Sequence, residues 1–400
     1  MRHALLPVAV TSLLVPLAAQ APLLVPAQFP DIGTAIQAAA PGAVIHVSPR
    51  IPPYPPFTID RPITIVGSAT AGEAPLVVVT NGAAITVQLA AGQRAVLTRI
   101  DAFPANGATL TTALVASGGV LTLEDCRFSG GHDPAGTNNL AAVDVLGTDL
   151  TLLFSRIDSG TATAALRATA SRVALVSSRC FGANPTGPGV VVQDSTLHAS
   201  DGWLLGGENF LGGPGAPALT VAGNSQVWLT DCTLRSGIGS PAGSALVNST
   251  QVPVELRDTA ATVAVSISGT PPLAVIGPSA TNTNLVGLRW SEDLYRRGTL
   301  RLGMPWGVVA RGPAQTPQLL AFSFAPTATA TSWTRQPALL PGEIVALVLL
   351  VTDATGQALF TSSVPNSSAL IGAGLWAQAA GGASFPLEAS PFAGAVVRPF

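Results

Sequence analysis

The stretch GGVLTLEDCRFSG, Gly118–Gly130, combines an alternating apolar run, a bend residue, a cysteine and a closing glycine. The same dozen residues recur as TDLTLLFSRIDSG (148–160), SRVALVSSRCFG (171–182) and SQVWLTDCTLRSG (225–237). Aligned on the apolar residue before the bend, the copies lie 23 to 30 residues apart, and self-similarity at such a period predicts a solenoid. The aligned column consists of Leu123, Leu152, Leu175, Ala199, Leu229 and Leu256.

Each copy has the alternation of a β-strand, and no helical pattern separates the copies. We therefore predict a parallel β-helix, in which every coil buries its apolar face by stacking on the next. The unequal spacing predicts that one bend in each coil varies in length. Three segments rich in Gly, Pro and Asn fit this bend and should line one side of the solenoid: 130–139, 182–189 and 206–218.

Two columns after the bend should point inward, and they contain all three cysteines. Cys126 and Cys232 are four rungs apart, roughly 19 Å at the spacing of β-strands, and a disulfide needs Cα atoms within about 7 Å. We therefore expect Cys126, Cys180 and Cys232 to be buried, unpaired thiols. The first column reads Cys126, Ser155, Ser178, Gly202, Cys232 and Thr259, and the second reads Phe128, Ile157, Cys180, Leu204 and Leu234.

The column between these two should face solvent, since neighbouring residues of a strand point to opposite faces. It reads Arg127, Arg156, Arg179, Trp203 and Thr233. Arginine binds carboxylate or sulfate groups bidentately and tryptophan stacks on sugar rings, so this column predicts a binding strip for an acidic polysaccharide. The alternative interpretation is a solvated arginine ladder, neutralised by acids such as Asp158 and Glu124.

The bend itself places acidic residues on successive rungs. Its column reads Asp125, Phe154, Ser177, Asp201, Asp231 and Asp258. Aspartates at a bend commonly accept hydrogen bonds from their own backbone, which is one interpretation of Asp201, Asp231 and Asp258. Carboxylates about 5 Å apart also repel one another unless a cation relieves them, so these three residues are candidate ligand-binding residues, with Ca²⁺ as a possible cofactor.

The segment FPDIGTAIQAAAPGAVIHVSPRIPPYPPFTIDRPITIVGS (29–68) resembles the opening of pectin-lyase-like right-handed β-helix proteins. That resemblance, which covers roughly residues 29–285, implies an N-terminal helix that caps the solenoid, with Ile32, Ala35, Ile36 and Ala39 on one face and Gly42 at its end. It implies little about chemistry, because the fold carries lyases, hydrolases, adhesins and inert surface proteins.

Among the proteins that this segment resembles, the lyases use acidic Ca²⁺ clusters with a basic residue, and the hydrolases use two or three close aspartates. The sequence contains neither of their signatures, NTD…DD…GHG and RxPxxR, and we predict no catalytic or metal-ligating residue. His132 and His198 are expected to be loop or surface residues. An enzyme should instead bring two carboxylates, or an aspartate and an arginine, into one cleft beside the variable loops.

The repeat ends near residue 290, and residues 291–400 predict a small β-sandwich. The run IVALVLLV (344–351) predicts a buried strand, and a hairpin at DATGQA (353–358) is implied by the resemblance described next. This region resembles a C-terminal module of secreted bacterial repeat proteins, which implies display or sorting; a plain end cap for the solenoid is the alternative. The domain boundaries are thus 1–27, 28–290 and 291–400.

The N-terminus, residues 1–27, has a basic start, an apolar run and small-residue cleavage sites after Ala21 or Ala27, which predicts a signal peptide. A membrane anchor is the alternative interpretation of this segment. No later segment is long and apolar enough to span a membrane. The formal net charge of −2 argues against nucleic-acid binding.

Together these features predict a secreted or surface-associated monomer that is not an enzyme. It would bind glycans, with an acidic polysaccharide as the partner, or act as an extracellular structural element. The alternative is a polysaccharide lyase or glycoside hydrolase that acts along the face carrying the arginines.

Overall fold

The structure, a computed structural model, describes residues 21–398 except 69–73, 106–110, 131–139, 161–163, 184–186, 210–212, 214, 231, 240–242, 251, 253, 258–259, 263–274, 277–280, 283–286, 291–299, 313, 325–343, 368–369, 372 and 382–386. It is the predicted right-handed parallel β-helix, followed by two further sheets that pack as a small sandwich. Three parallel sheets, S1, S2 and S3, form the walls of the helix, and from β4 to β27 each coil contributes one strand to each sheet.

Short strands build all three walls, as the dozen-residue repeat predicts. S1 contains β1 (Leu23–Val25), β2 (Val44–Val47), β4 (Thr64–Gly67), β7 (Arg94–Thr98), β10 (Val120–Glu124), β13 (Asp149–Leu153), β16 (Arg172–Val176), β19 (Thr196–Ser200), β22 (Gln226–Thr230), β25 (Glu255–Arg257) and β28 (Thr281–Asn282). S2 contains β5 (Leu76–Val79), β8 (Asp101–Pro104), β11 (Arg127–Ser129), β14 (Arg156–Asp158), β17 (Arg179–Phe181), β20 (Trp203–Leu205), β23 (Thr233–Arg235) and β26 (Ala260–Thr262). S3 contains β3 (Phe57–Ile59), β6 (Gly82–Gln88), β9 (Thr111–Ser117), β12 (Ala141–Leu146), β15 (Ala164–Thr169), β18 (Val190–Gln193), β21 (Leu219–Ala222), β24 (Leu246–Asn248) and β27 (Val275–Ile276).

The strand register confirms the repeat alignment. In S1, Leu123 pairs with Leu152 and Leu152 with Leu175, and the column continues through Ala199 and Leu229 to Leu256. In S2, Phe128, Ile157, Cys180, Leu204 and Leu234 form the second inward column, and all five are fully buried. Each buried apolar side chain contributes about 1.5–3 kcal/mol, so the stacked columns are the main stabilising element of the helix.

A short helix, α1 (Ile32–Ala38), contacts β1, β2 and β3 at the N-terminal end of the solenoid. Its N-cap is Asp31, whose side chain accepts a hydrogen bond from the Thr34 amide. Ile32, Ala35 and Ile36 are buried, as the helical face predicted. The helix ends earlier than expected, because the backbone at Ala39 is already extended; Gly42, with φ +83°, lies in the following turn.

Buried hydroxyl groups form ladders of hydrogen bonds at the two tight bends of successive coils. Between S1 and S2, the amides of Cys126 and Ser155 donate to Ser155 Oγ and Ser178 Oγ on the next rung, each at 3.2 Å. Between S3 and S1, the amide of each rung donates in the same way, at 3.0–3.1 Å, along the series Thr148, Ser171, Ser195 and Ser225. These bonds satisfy amides that would otherwise be buried without acceptors.

The three cysteines are free and buried, as predicted. Burial raises the pKa of the Cys180 thiol to about 12, with the nearby Asp158 carboxylate acting in the same direction. A thiol that stays protonated is a poor nucleophile, so Cys180 behaves as a small apolar core residue.

Two sheets form the C-terminal region. S4 contains β29 (Gly287–Trp290), β31 (Pro305–Arg311) and β34 (Gln357–Ser363), and S5 contains β30 (Leu300–Arg301), β32 (Pro317–Ser323), β33 (Ile344–Val351), β35 (Gly374–Gly381) and β36 (Glu388–Arg398). Trp306 and Val308 of S4 share a buried core with Leu320 and Phe322 of S5, which is the arrangement of a sandwich.

Two local predictions for this region are wrong. β33 is an edge strand of S5, and Leu347, Leu349 and Val351 are more than half exposed, so this apolar run is not a buried strand. The DATGQA segment does not close a hairpin either. It joins β33 to β34, which pair in different sheets, and Asp353 accepts hydrogen bonds from Thr355 and Gln357 within the turn.

The sandwich packs on the outer face of S1. Trp376 of β35 and Ala321 of β32 form a buried cluster with Leu153, Ala174 and Val176, whose side chains point away from the solenoid interior. At its edge, Arg94 Nη1 donates to the Phe324 carbonyl at 2.8 Å. The part of S1 around Leu153, Ala174 and Val176 is thus covered by protein on both sides.

Among the residues that the structure describes, no helix has the length and apolarity needed to cross a membrane.

Candidate binding face

The outer face of S2 carries two columns of side chains. The register aligns Asp101, Arg127, Arg156, Arg179, Trp203 and Thr233 in the first column, as predicted from Arg127 onward. The second column was not predicted and reads Ser129, Asp158, Phe181, Leu205 and Arg235. Both columns run parallel to the solenoid axis, so that the face is a flat strip two side chains wide.

The bend before each strand places these columns in register. Asp125, Phe154, Ser177 and Asp201 all have left-handed backbones, with φ between 48° and 53°. Aspartate tolerates this conformation, whereas a phenylalanine there is unusual. Phe154 packs against the core of the sandwich and against the cluster that joins the sandwich to S1. This packing compensates the strain of its left-handed backbone. The repeated bend starts each S2 strand at the same point of the coil.

Asp158 neutralises the first two arginines of the strip. It forms ion pairs with Arg156 at 2.8 Å and with Arg127 at 3.3 Å. The same guanidinium groups lie over aromatic rings, Arg127 over Phe103 at 5.2 Å and Arg156 over Phe181 at 4.7 Å. The ladder interpretation therefore holds for Arg127 and Arg156, with Asp158 as the predicted neutralising acid.

Glu124, the other acid proposed to neutralise the ladder, lies elsewhere. It belongs to β10, its side chain is fully buried, and it pairs in register with Leu153, which packs beneath the sandwich. That prediction was wrong because the docking of the sandwich on S1 was not foreseen.

Arg179 differs from the other two arginines. Its guanidinium lies 5.0 Å from the centre of the Trp203 ring, and Trp203 is 47% exposed. No carboxylate of the described residues forms an ion pair with Arg179. An exposed cation on an exposed indole can therefore accept an anionic ligand without first losing an internal partner.

Asp101 begins the strip at its N-terminal end. The Arg127 amide donates to its carboxylate at 3.2 Å. Burial raises the pKa of Asp101, and the Arg127 amide and charge oppose that rise. Sequence reasoning missed Asp101 because its strand lies one coil before the first clear copy of the repeat.

The acidic bend column is described in part. Asp201 is exposed and accepts a hydrogen bond from Ser177 Oγ at 3.0 Å. Asp231 and Asp258 lie outside the described residues, as does His132. Within the described ranges, no group of three or more His, Cys, Asp or Glu side chains could hold a metal ion.

His198, expected to be a loop or surface residue, is half-buried on S1. Its ring stacks on Trp228, with ring centres 4.6 Å apart and planes 9° from parallel, and its Nε2 is shielded from solvent. Burial lowers the pKa of His198 to about 3, so the imidazole is neutral at physiological pH. His198 belongs to the face of S1 whose strand β19 contacts β36 of the sandwich.

A cleft of about 180 Å³ lies at the edge of the strip, where the S2 strands enter the variable loops. Its walls contain Phe181, Gly182, Leu205, Gly206, Glu208, Arg235 and Ser236. Sequence reasoning did not find it, although two signals were available. Arg235 has the outward parity of Leu205, and Glu208 is the acidic residue of the loop 206–218.

No family model matches this sequence, and no curated protein matches it either. Among solved structures, the enzymatically active domain of bacteriophage CBA120 tailspike protein 2 is similar with a TM-score of 0.38 and 9% identity, over 88% of this chain and 70% of that one. The A-module of the Azotobacter vinelandii mannuronan C-5 epimerase AlgE4 is similar with a TM-score of 0.33 and 11% identity, over 63% of this chain and 90% of that one. Likenesses at this level assign no activity to the chain.

Proposed function

We propose that this protein binds an acidic polysaccharide along the outer face of S2 and does not cleave it. The observation that carries the proposal is the Arg179–Trp203 pair, an arginine without an ion-pair partner among the described residues beside a half-exposed tryptophan. A guanidinium binds the carboxylate or sulfate of the sugar, and the indole packs on the apolar face of the ring.

The flat geometry of the strip suits an extended polymer. Neighbouring rungs lie about 4.8 Å apart, so a chain running along the axis would meet one side chain after another. Arg127 and Arg156 are held in place by Asp158, and a polyanion must compete with that carboxylate to reach them. Binding should therefore centre on Arg179 and Trp203 and extend toward Arg156.

A lyase or hydrolase is the second candidate, and the cleft that contains Glu208 and Arg235 is the observation that favours it. A hydrolase uses two carboxylates, and the described lining of the cleft contains one. An elimination reaction would need a base that removes a proton and a group that neutralises the uronate carboxylate. Arg235 is the basic residue in the described lining of the cleft. Binding without catalysis accounts for Glu208 and Arg235 and needs neither a second carboxylate nor a base.

An extracellular location belongs to the same proposal. Residues 1–20 lie outside the described residues, and Leu23–Val25 forms β1, which pairs with β2. Cleavage after Ala27 would remove this strand, whereas cleavage after Ala21 would keep it. We therefore expect the mature chain to begin at Pro22, which N-terminal sequencing of secreted protein checks. A mature chain beginning at Gln28 would contradict this expectation.

The function is tested with a panel of acidic and neutral polysaccharides. The purified protein is titrated with polygalacturonate, alginate, a sulfated galactan and a neutral galactan, each with Ca²⁺ and with a chelator. The proposal predicts binding of at least one acidic polymer at low salt, weak binding of the neutral one, and no release of new chain ends. Steady release of products would favour the enzyme, and the absence of acidic binding would contradict both candidates.

A further inference from the structure

The cleft beside the strip has a composition that differs from the strip itself. Phe181 and Leu205 provide an apolar floor, Arg235 provides a cation, and the half-buried Glu208 provides a carboxylate. No ion pair to Arg235 is formed by any described residue, and its side chain is exposed. The volume of about 180 Å³ is below the roughly 300–1,000 Å³ of pockets for drug-sized ligands and suits one sugar ring.

We propose that this cleft binds the terminal acidic sugar of the polysaccharide, so that the protein recognises a chain end as well as a polymer. The inference rests on the proposed function and names the subsite where the bound chain stops. Arg235 would hold the carboxylate of a terminal uronate, while Glu208 would accept hydrogen bonds from ring hydroxyls. The apolar side of the ring would lie on Leu205 and Phe181.

The walls of the cleft explain why the sugar would be a terminal one. A Cβ atom at Gly206 would lie 1.9 Å from the Ala216 carbonyl oxygen, and one at Gly182 would lie 2.1 Å from that of Gly187. The loops thus press directly against the strand ends through backbone atoms, which cannot move aside as side chains do. A cleft of about 180 Å³ with these rigid walls has room for one ring, so the ring it holds would be the last of its chain.

The opposite side of the cleft leads to the strip. Leu205 and Trp203 lie two residues apart on β20, about 7 Å along the strand. A chain whose last ring occupies the cleft would therefore place a following ring near Trp203 and Arg179. One polymer can use both sites at once, and short fragments should depend on the cleft more strongly than long chains.

The test compares short and long acidic chains on matched variants. Trigalacturonate, a trimer of mannuronate, a glucuronate-ended trisaccharide and a neutral trisaccharide are titrated by calorimetry, together with the corresponding polymers. The variants are Arg235→Gln in the cleft, Arg179→Gln on the strip and Arg172→Gln on S1 as a control with the same change in charge. All three arginines are exposed, and thermal unfolding verifies that each variant is folded.

We expect Arg235→Gln to weaken an acidic trisaccharide at least about tenfold, the effect of losing one charge-assisted hydrogen bond, and to weaken the polymer less. Arg179→Gln should weaken both, and Arg172→Gln neither. If the polymer binds but Arg235→Gln leaves the affinity for every acidic trisaccharide unchanged, the chain-end inference is wrong. Binding of the polymer along the strip would then remain supported. If wild type binds no acidic chain of either length, the proposed function fails with it.

Discussion

The outer faces of S1 and S2 belong to the same coils but carry opposite chemistry. On S1, the outward side chains Leu153, Ala174 and Val176 are buried beneath the sandwich, where Trp376 packs on them. On S2, the outward side chains Arg156, Arg179 and Trp203 remain exposed. Both walls are parallel sheets built by the same coils, so the difference comes from the residues that the repeat places at outward positions.

The residue types in an outward column of a solenoid therefore indicate whether another part of the protein packs on that column. Apolar residues at outward positions require a protein partner, because leaving them in water forfeits about 25 cal/mol per Å² of apolar surface. The exposed Arg179 and Trp203 require none. The following predictions test this division between a structural wall and a binding wall.

Two tryptophans provide the largest expected contrast. Trp376 is 1% exposed and lies at the S1 contact, whereas Trp203 is 47% exposed on S2. Trp376→Ala should lower the free energy of unfolding by about 3–5 kcal/mol, the usual cost of removing a buried aromatic side chain. Trp203→Ala should cost about 1 kcal/mol or less, because it removes little more than the contact with Arg179.

Denaturant unfolding followed by circular dichroism measures both changes. The affinity for the acidic polymer should show the opposite order, since only Trp203→Ala should weaken binding. Equal destabilisation by the two substitutions would break the division between the walls.

The pH dependence of stability should come partly from the S1 wall. Burial lowers the pKa of His198 to about 3, below the value near 6.5 of an unfolded histidine. The unfolded chain therefore binds the additional proton between these values, and stability falls as the pH falls from about 6.5 toward 3. His198→Phe keeps a ring to stack on Trp228 and removes this proton.

Urea midpoints measured from pH 7 to pH 4 should decline less steeply in His198→Phe than in wild type. Carboxylate titrations affect both proteins equally, so the difference isolates the histidine. Parallel pH profiles would mean that the imidazole is accessible to solvent.

The smallest expected effect concerns the neutralised end of the strip. Asp158→Asn removes the carboxylate that holds Arg127 and Arg156. Each exposed ion pair is worth about 0.2–1 kcal/mol, so releasing the arginines should tighten acidic-polymer binding by roughly two- to fivefold. Asp149→Asn, which releases Arg172 on S1, is the matched control and should leave binding unchanged. Weaker binding by Asp158→Asn would indicate that the carboxylate positions the arginines for the ligand.

The repeat alone determined the wall residues. One alignment column was enough to place Leu123, Cys126, Arg127 and Phe128 correctly, because parity in a strand leaves each residue one of two faces. The described part of the bend column, from Asp125 to Asp201, was also correct in position, and its left-handed backbone explains why aspartate and serine recur there. Because the coils repeat, the face assigned to a residue in one coil applies to the equivalent residues of the others.

Contacts between parts that do not repeat could not be obtained in this way. The burial of Glu124 and the stacking of His198 follow from strands of the sandwich and from neighbouring columns, which a single coil does not encode. The cleft depends on how loops of unequal length fold. One signal was overlooked: Phe154, the single large apolar residue of the bend column, marks the contact with the sandwich.

The central claim is that S2, and not S1, is the binding wall, and one pair of affinities tests it most directly. Arg179→Gln and Arg172→Gln change the net charge equally and replace exposed arginines on the two walls. We predict that Arg179→Gln weakens binding of the acidic polymer at low salt by about tenfold or more, while Arg172→Gln matches wild type. Equal affinities for the two variants would contradict the account, because binding would then follow net charge and not the strip.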